Sequence, residues 1–293
     1  MIRENAMNQK QVIAGLAEEY PLLYLNPDKD DQETYRRVVL RGEEPDRKDL
    51  SHYTGDPADR METARTPAGE VRIATLGNRQ DFERVIRGLM AAKDGPLRPV
   101  PPSQGAAMLT VFNWPRIHAH LAAYPEEEQA REFQKFISVK ENYTDSLIVM
   151  SRGPYSHVSA DALGLTEERW LELSDIIRRY HEMTHFICRK QYPGNIRKIR
   201  DELIADTVGL YAAYGFFDPE TEKAFLGIRG ETYCDGRLGN YTEEPQQAAP
   251  AVCRALTRLR QTVERAKGCA PFELIPPLMD ADILPEDGAP EGQ

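Results

Sequence analysis

The chain has 293 residues, of which 41% are hydrophobic and 29% are charged, so it is expected to be a soluble globular protein. Its formal net charge of −10 argues against nucleic acid as a partner, because phosphate binding requires a basic surface. The four cysteines form no C-x-x-C pair, so we expect reduced thiols. Neither a signal peptide nor an apolar run of roughly 20 residues is visible. We therefore expect a cytoplasmic protein with no membrane partner.

The first third of the chain predicts alternating helices and strands. A short amphipathic helix is expected at residues 9–20, a strand at 70–77 and a helix at 78–95. The stretch LRPVPPSQG at residues 97–105 is rich in proline and ends in glycine, which predicts a loop or an interdomain connection.

Two further strands and two helices are expected after this break. In chain order they are the strand AAMLTVF, a helix at residues 115–124, the helix EEEQAREFQKFI and the strand DSLIVMSRG. Residues 166–267 predict almost continuous helix, and the final PEDGAPEGQ is expected to be disordered.

The sequence RRYHEMTHFICRK places two histidines four residues apart, with Glu182 directly after the first. It lies in a predicted helix at about residues 167–191, for which Thr166 is a suitable N-cap. On this helix, His181 and His185 fall on the border between the buried stripe and the solvent-facing side, where a cleft wall would lie. Histidines at i and i+4 point in the same direction, which suits two imidazoles on one zinc ion with the glutamate within reach of a water.

A catalytic zinc site needs a third protein ligand, and the next predicted helix, at about residues 197–214, offers two carboxylates. Glu202 and Asp206 share one face of this helix with small residues such as Ala205 and Gly209. A mid-helix glycine costs about 1 kcal/mol relative to alanine, so Gly209 indicates close packing against a neighbouring helix. Two carboxylates on such a contact face favour a metal partner over an exposed acidic surface.

HEMTH followed by ELIAD resembles the gluzincin metallopeptidases, which carry H-E-x-x-H on one helix and E-x-x-x-D on the next. The compact minigluzincins and the ImmA/IrrE-like proteases are the nearest in the second motif, and the resemblance covers residues 170–215. It implies one zinc ion per chain held by His181, His185 and Glu202, with Glu182 as the general base and Asp206 as the partner of a ligand histidine.

The resemblance also implies an α+β, zincin-like fold, with a small sheet packed on an active-site helix pair and a largely helical C-terminal part. We expect an N-terminal α/β region at residues 1–104, which could belong to the same globule. A zincin-like catalytic domain is expected at 105–270, followed by a partly disordered C-terminal tail at 271–293.

Gluzincin-like folds place an edge strand along the cleft, and DSLIVMSRGPYSHV, directly before the motif helix, is the candidate for this strand. Tyr155 and His157 at its end, and Tyr241 in GNYTEE, are candidates for stabilising a tetrahedral oxyanion. Ordinary packing or surface positions are the alternatives for all three residues.

The predicted function is a zinc-dependent peptide-bond hydrolase, in which Glu182 takes a proton from a metal-activated water and passes it to the leaving amine. The substrate is expected to be a peptide or protein. One alternative is a zincin-fold binding or regulatory module with weak or no hydrolysis. A more distant alternative is a di-iron helical protein, since EMTH is also Glu-x-x-His, but the sequence shows no second copy of that motif.

Overall fold

The structure, a computed structural model, describes residues 10–26, 32–45, 47–90, 99–194, 198–281 and 283. It contains both helices and a small sheet, which confirms the predicted α+β class. The predicted disorder of residues 285–293 lies outside the described residues.

The described residues form two compact units. The first consists of residues up to 64 with 71–100 and 107–152, and the second consists of 65–70, 101–106 and the residues from 153 onward. The domain boundaries predicted at 104 and 270 stay a prediction, although residues 107–152 belong to the first unit rather than with the motif helices.

The N-terminal half of the chain forms five helices and four strands within the part that the structure describes. The helices are α1 (Gln11–Glu19), α2 (Gln32–Tyr35), α3 (Arg79–Met90), α4 (Trp114–Leu121) and α5 (Glu126–Ile137). The strands are β1 (Arg60–Thr66), β2 (Gly69–Leu76), β3 (Ala106–Phe112) and β4 (Thr144–Ser151). They form one sheet in the order β1-β2-β4-β3, in which β2 and β4 run parallel with Ile73 opposite Ile148.

The prediction that DSLIVMSRGPYSHV forms an edge strand is wrong, because β4 lies between β2 and β3. The reason is visible in its side chains, since the consecutive residues Leu147, Ile148, Val149 and Met150 are all fully buried. A strand that buries both faces reads as a continuous apolar run and belongs in the interior of a sheet.

The C-terminal half is mainly helical. Its helices are α6 (Glu167–Gln191), α7 (Lys198–Tyr214), α8 (Pro219–Leu226), α9 (Pro245–Arg265) and α10 (Ile275–Asp280). Among the described residues, no helix combines the length and hydropathy of a membrane-spanning segment.

The prediction of almost continuous helix over residues 166–267 is wrong between α8 and α9. The short strands β5 (Ile228–Arg229) and β6 (Thr232–Tyr233) form a hairpin here, and a 3-10 turn (Arg237–Asn240) follows it. Helical geometry ends at Gly227, whose φ of 76° is left-handed, and Gly230 in the hairpin has a φ of 62°.

Helix α6 has the predicted ends and the predicted buried side. The side chain of Thr166 accepts a hydrogen bond from the backbone N–H of Arg169, as expected of an N-cap. Trp170, Leu173 and Ile177 are fully buried along one stripe. The predicted extent and buried stripe of the motif helix are therefore confirmed. His181, expected at the border with solvent, is itself buried, and so are Met183 and Phe186 beyond it.

Helix α7 packs closely on α6, and Gly209 lies at the closest approach. A Cβ atom at this position would lie 2.8 Å from the backbone oxygen of Ile177 and 3.2 Å from its Cγ2 atom. The expected close packing of the two motif helices at Gly209 is confirmed, and Ala205 beside it is fully buried.

Substituting alanine for Gly209 is expected to destabilise the second unit. The helix would gain up to about 1 kcal/mol in intrinsic propensity, whereas overpacking against backbone typically costs about 1–3 kcal/mol. Gly15→Ala in α1 is the matched control, because open space surrounds that helical glycine and only the gain remains. The midpoint of urea unfolding should therefore fall for Gly209→Ala and rise for Gly15→Ala. A shift of both midpoints in the same direction would contradict the close packing at Gly209.

Candidate metal centre

Two histidines from α6 and one glutamate from α7 converge at a single point. The Nε2 atoms of His181 and His185 lie 3.0 Å apart. Glu202 lies 3.4 Å from the first of these atoms through Oε2 and 3.5 Å from the second through Oε1. The structure thus brings together the three residues that the sequence predicts as metal ligands, and they form a group able to hold an ion.

The separations to Glu202 fit the requirements of zinc. Nitrogen and oxygen ligands lie about 2.0–2.2 Å from zinc, so two ligands at a tetrahedral angle lie about 3.3–3.6 Å apart. The distances of 3.4 and 3.5 Å to Glu202 fall in this range, whereas the 3.0 Å between the two Nε2 atoms is shorter. The side chains of His185 and Glu202 remain 16% and 22% exposed, so the group is accessible from solvent. Two imidazoles and one carboxylate with an accessible side are the donor set of a catalytic rather than a structural zinc site.

Glu182 lies beside this group without belonging to it. Its side chain is buried, and its Oε1 atom lies 4.0 Å from the Nε2 atom of His181. The carboxylate is therefore close enough to accept a proton from a water at the donor group, which is the position that the sequence motif predicts.

Asp206 holds His181 from the opposite side. Its Oδ1 atom lies 2.7 Å from Nδ1 of the imidazole, and the carboxylate is fully buried. Contact with a carboxylate holds a proton on Nδ1, so Nε2, which faces Glu202 and His185, is the nitrogen that would bind a metal. Asp206 thus contacts His181, one of the two histidines that the sequence predicts as metal ligands.

Tyr155 also lies behind His181, so its prediction as an oxyanion-stabilising residue is wrong. Its hydroxyl donates to Oδ1 of Asp206 and lies 3.0 Å from Nδ1 of His181, on the side away from the metal donors. The ring is buried, in edge contact with Phe225 at a centroid distance of 5.2 Å. It was misjudged because sequence position does not show which side of the imidazole a tyrosine reaches.

The other two oxyanion candidates differ in position. His157 is exposed, and none of the contacts described around the metal donors involves it. Tyr241 follows the 3-10 turn and lies near enough to Glu202 for the charge of this carboxylate to act on its hydroxyl. Burial raises the pKa of the Tyr241 hydroxyl well above its ordinary value; Arg237 opposes this, and the charge of Glu202 adds to it. The tyrosine is therefore a protonated donor beside a predicted ligand.

The electrostatics of the group favour a cation. Burial lowers the pKa of His181, but the charges and hydrogen bonds of Asp206 and Glu202 outweigh burial and raise it to about 10. Burial alone would raise the pKa of Glu202, yet the two histidines hold it well below its usual range. Two ionised carboxylates thus face the imidazoles and stabilise positive charge here, either on His181 itself or on a metal ion that displaces its Nε2 proton.

The sequence did not reveal two residues of this cluster, Arg237 and Glu222. Arg237 donates to Oδ2 of Asp206 and, through Nη1 at 3.0 Å, to the hydroxyl of Tyr155. Glu222 of α8 is fully buried, with Oε1 at 3.8 Å from Nη2 of Arg237. The sequence did contain a signal for the burial of Glu222. Phe225 and Leu226 follow it at i+3 and i+4, so all three residues share one face of the helix, and that face is buried.

The family described as "Family of unknown function (DUF7005)" matches the chain over residues 23–268. No curated protein and no solved structure matches the chain. The matched region contains α6, α7 and the turn with Arg237 and Tyr241, so the whole candidate metal centre lies within it.

Proposed function

The chain belongs to the DUF7005 family, and we propose that it is a zinc-dependent peptide-bond hydrolase with a zincin-like fold. The observation that carries this proposal is the convergence of His181, His185 and Glu202 on one point, as a group able to hold a metal ion, with Glu182 beside them. The likeness of HEMTH and ELIAD to the two gluzincin motifs supports the same reaction class.

Two imidazole nitrogens and one carboxylate would hold the ion, a donor set that zinc favours. When bound, zinc would polarise the scissile carbonyl as a Lewis acid and lower the pKa of water. Asp206 keeps the proton of His181 on Nδ1, so that Nε2 is available as a ligand. The ligands are thus oriented by contacts within the protein.

Glu182 and Tyr241 carry the proton transfer and the charge stabilisation in this proposal. Glu182 accepts a proton from the attacking water and returns it to the nitrogen of the leaving amine. Tyr241, whose hydroxyl is kept protonated, donates a hydrogen bond to the oxyanion that forms on the substrate carbonyl. Peptide or protein substrates follow from the resemblance to metallopeptidases, whereas an ester or a small amide would be alternative acyl substrates.

Metal content and peptide cleavage together test the proposal. Elemental analysis of the purified protein should give about one zinc ion per chain, the number that one three-ligand site holds. Cleavage of a peptide library should stop with ortho-phenanthroline, continue with its non-chelating meta isomer and return when zinc is added. A protein that binds no zinc contradicts the proposal, and zinc binding without any cleavage favours a binding or regulatory module.

A further inference from the structure

A buried charge cluster lies behind His181, on the side away from the metal donors. Its members are Asp206, Glu222, Arg237 and Tyr155, of which the two carboxyl groups are fully inaccessible to solvent. The guanidinium of Arg237 lies in the middle of it, donating to Asp206 and to Tyr155 through two different nitrogens. It also lies over the Tyr155 ring, 4.9 Å from the centroid.

The turn that carries Arg237 is fixed by its own backbone. The backbone N–H of Cys234 donates to the carbonyl of Gly227 at 2.7 Å, and that of Gly236 donates to the hydroxyl of Tyr233 at 3.3 Å. Gly227 and Gly236 approach so closely that a Cβ atom at either would overlap with the backbone beside the other. Arg237 therefore enters the cluster from a closely packed support.

Two buried carboxyl groups lie next to the guanidinium of Arg237. Arg237 donates to Oδ2 of Asp206, and Oε1 of Glu222 lies 3.8 Å from its Nη2 atom. A buried carboxylate is strongly destabilised unless hydrogen bonds and positive charge surround it. Arg237 is therefore the partner of Asp206 at the carboxylate oxygen that does not contact His181.

We propose that Arg237 is a positioning residue, which holds the carboxylate of Asp206 and the hydroxyl of Tyr155 so that His181 presents Nε2 to the metal. This inference rests on the proposed function. It adds Arg237 as a residue that does not contact the metal but orients the ligand His181 through Asp206. Only a guanidinium can reach both partners with separate nitrogens, whereas a lysine ammonium makes its contacts from one point.

Zinc affinity of the full chain tests this role, measured by competition with a chromogenic chelator. Arg237→Met should weaken zinc binding about 10–100-fold, as is typical when a residue that supports a ligand is lost. The zinc affinity of Arg237→Lys should lie between that of Arg237→Met and that of the wild type. The d–d absorption of the cobalt-loaded protein at saturating metal should change as well, because the orientation of a ligand histidine changes.

Asp81→Asn is the matched control for a general loss of stability. Asp81 is a fully buried carboxylate of α3 that accepts backbone N–H groups of Thr54 and Gly55, and it lies in the first unit. This variant should be less stable and still bind zinc with wild-type affinity. An equal loss of affinity in Asp81→Asn would overturn the positioning role.

The remaining outcomes separate the two proposals. Wild-type affinity and an unchanged cobalt spectrum in Arg237→Met overturn the role of Arg237 alone. A wild-type protein that binds neither zinc nor cobalt overturns the proposed function and the positioning role with it. If Arg237→Met does not fold, Arg237→Lys decides, because wild-type behaviour of that variant contradicts the need for two separate donors.

Discussion

Replacing Glu182 by glutamine is expected to lower the rate of peptide hydrolysis by about 100- to 10,000-fold, the usual contribution of a general base. An amide cannot accept the proton of water, while its size is that of the carboxylate. Glu182 is not one of the three converging donors, so zinc should remain bound at the wild-type level. The measurement is kcat/KM of both proteins at equal zinc content, on a peptide that the wild type cleaves.

The same exchange at Glu172 provides the control. Glu172 lies on the same helix, but its side chain is exposed and pairs with Arg169 at the surface. Glu172→Gln should therefore keep the wild-type rate. Equal rates for the wild type and Glu182→Gln would show that the activity uses other residues or comes from a contaminant.

A protease that acts on one protein only could leave a peptide library uncut. The Glu182→Gln variant then serves as a trap, because it should retain the metal and the cleft but not cleave what it binds. A protein recovered with the variant, and cut by the wild type in a separate incubation, would establish a specific protease.

Loss of a ligand is the second large effect that we expect. Alanine at His185 or at Glu202 leaves two of three donors, and zinc affinity should fall by more than the roughly 10–100-fold typical of losing a supporting residue. For Asp206→Ala, the loss of zinc affinity should stay within about 10–100-fold, because Asp206 supports a ligand and is not one itself. Equilibrium competition with a chelator of known affinity measures all three variants on one scale.

His120→Ala is the control for the histidine substitution. His120 belongs to α4 in the first unit and stacks on Phe136 at a centroid distance of 4.1 Å, so its loss removes a packing contact and no metal donor. Its zinc content should equal that of the wild type. Full zinc retention in His185→Ala would refute the assigned ligand set.

The motif helices could be predicted from the sequence because their signals are local. Thr166, the apolar stripe through Trp170 and Ile177, and the spacing of His181 and His185 all act within a few residues of each other. Gly209 was informative for the same reason, since a glycine inside a helix has few explanations other than close packing. The ligand group follows once two such helices are adjacent in the chain and in contact.

Arg237 could not be predicted in this way. It lies 31 residues after Asp206, its contact partner, and nothing in its local sequence identifies that partner. Because the sequence predicts almost continuous helix over this region, the hairpin that precedes Arg237 was not predicted either. The interior position of β4 was missed although LIVM carries the signal of a strand buried on both faces, because the resemblance suggested an edge strand.

The turn after the β5–β6 hairpin has a consequence for how this protein can change during evolution. Arg237 begins the turn and contacts Asp206 behind His181, whereas Tyr241 follows it and lies near Glu202. Because Tyr241 lies only four positions after Arg237, a shift of the hairpin moves both side chains together. Under the proposed function, a substitution in the hairpin would alter metal affinity and turnover in the same step, so selection on one property would constrain the other.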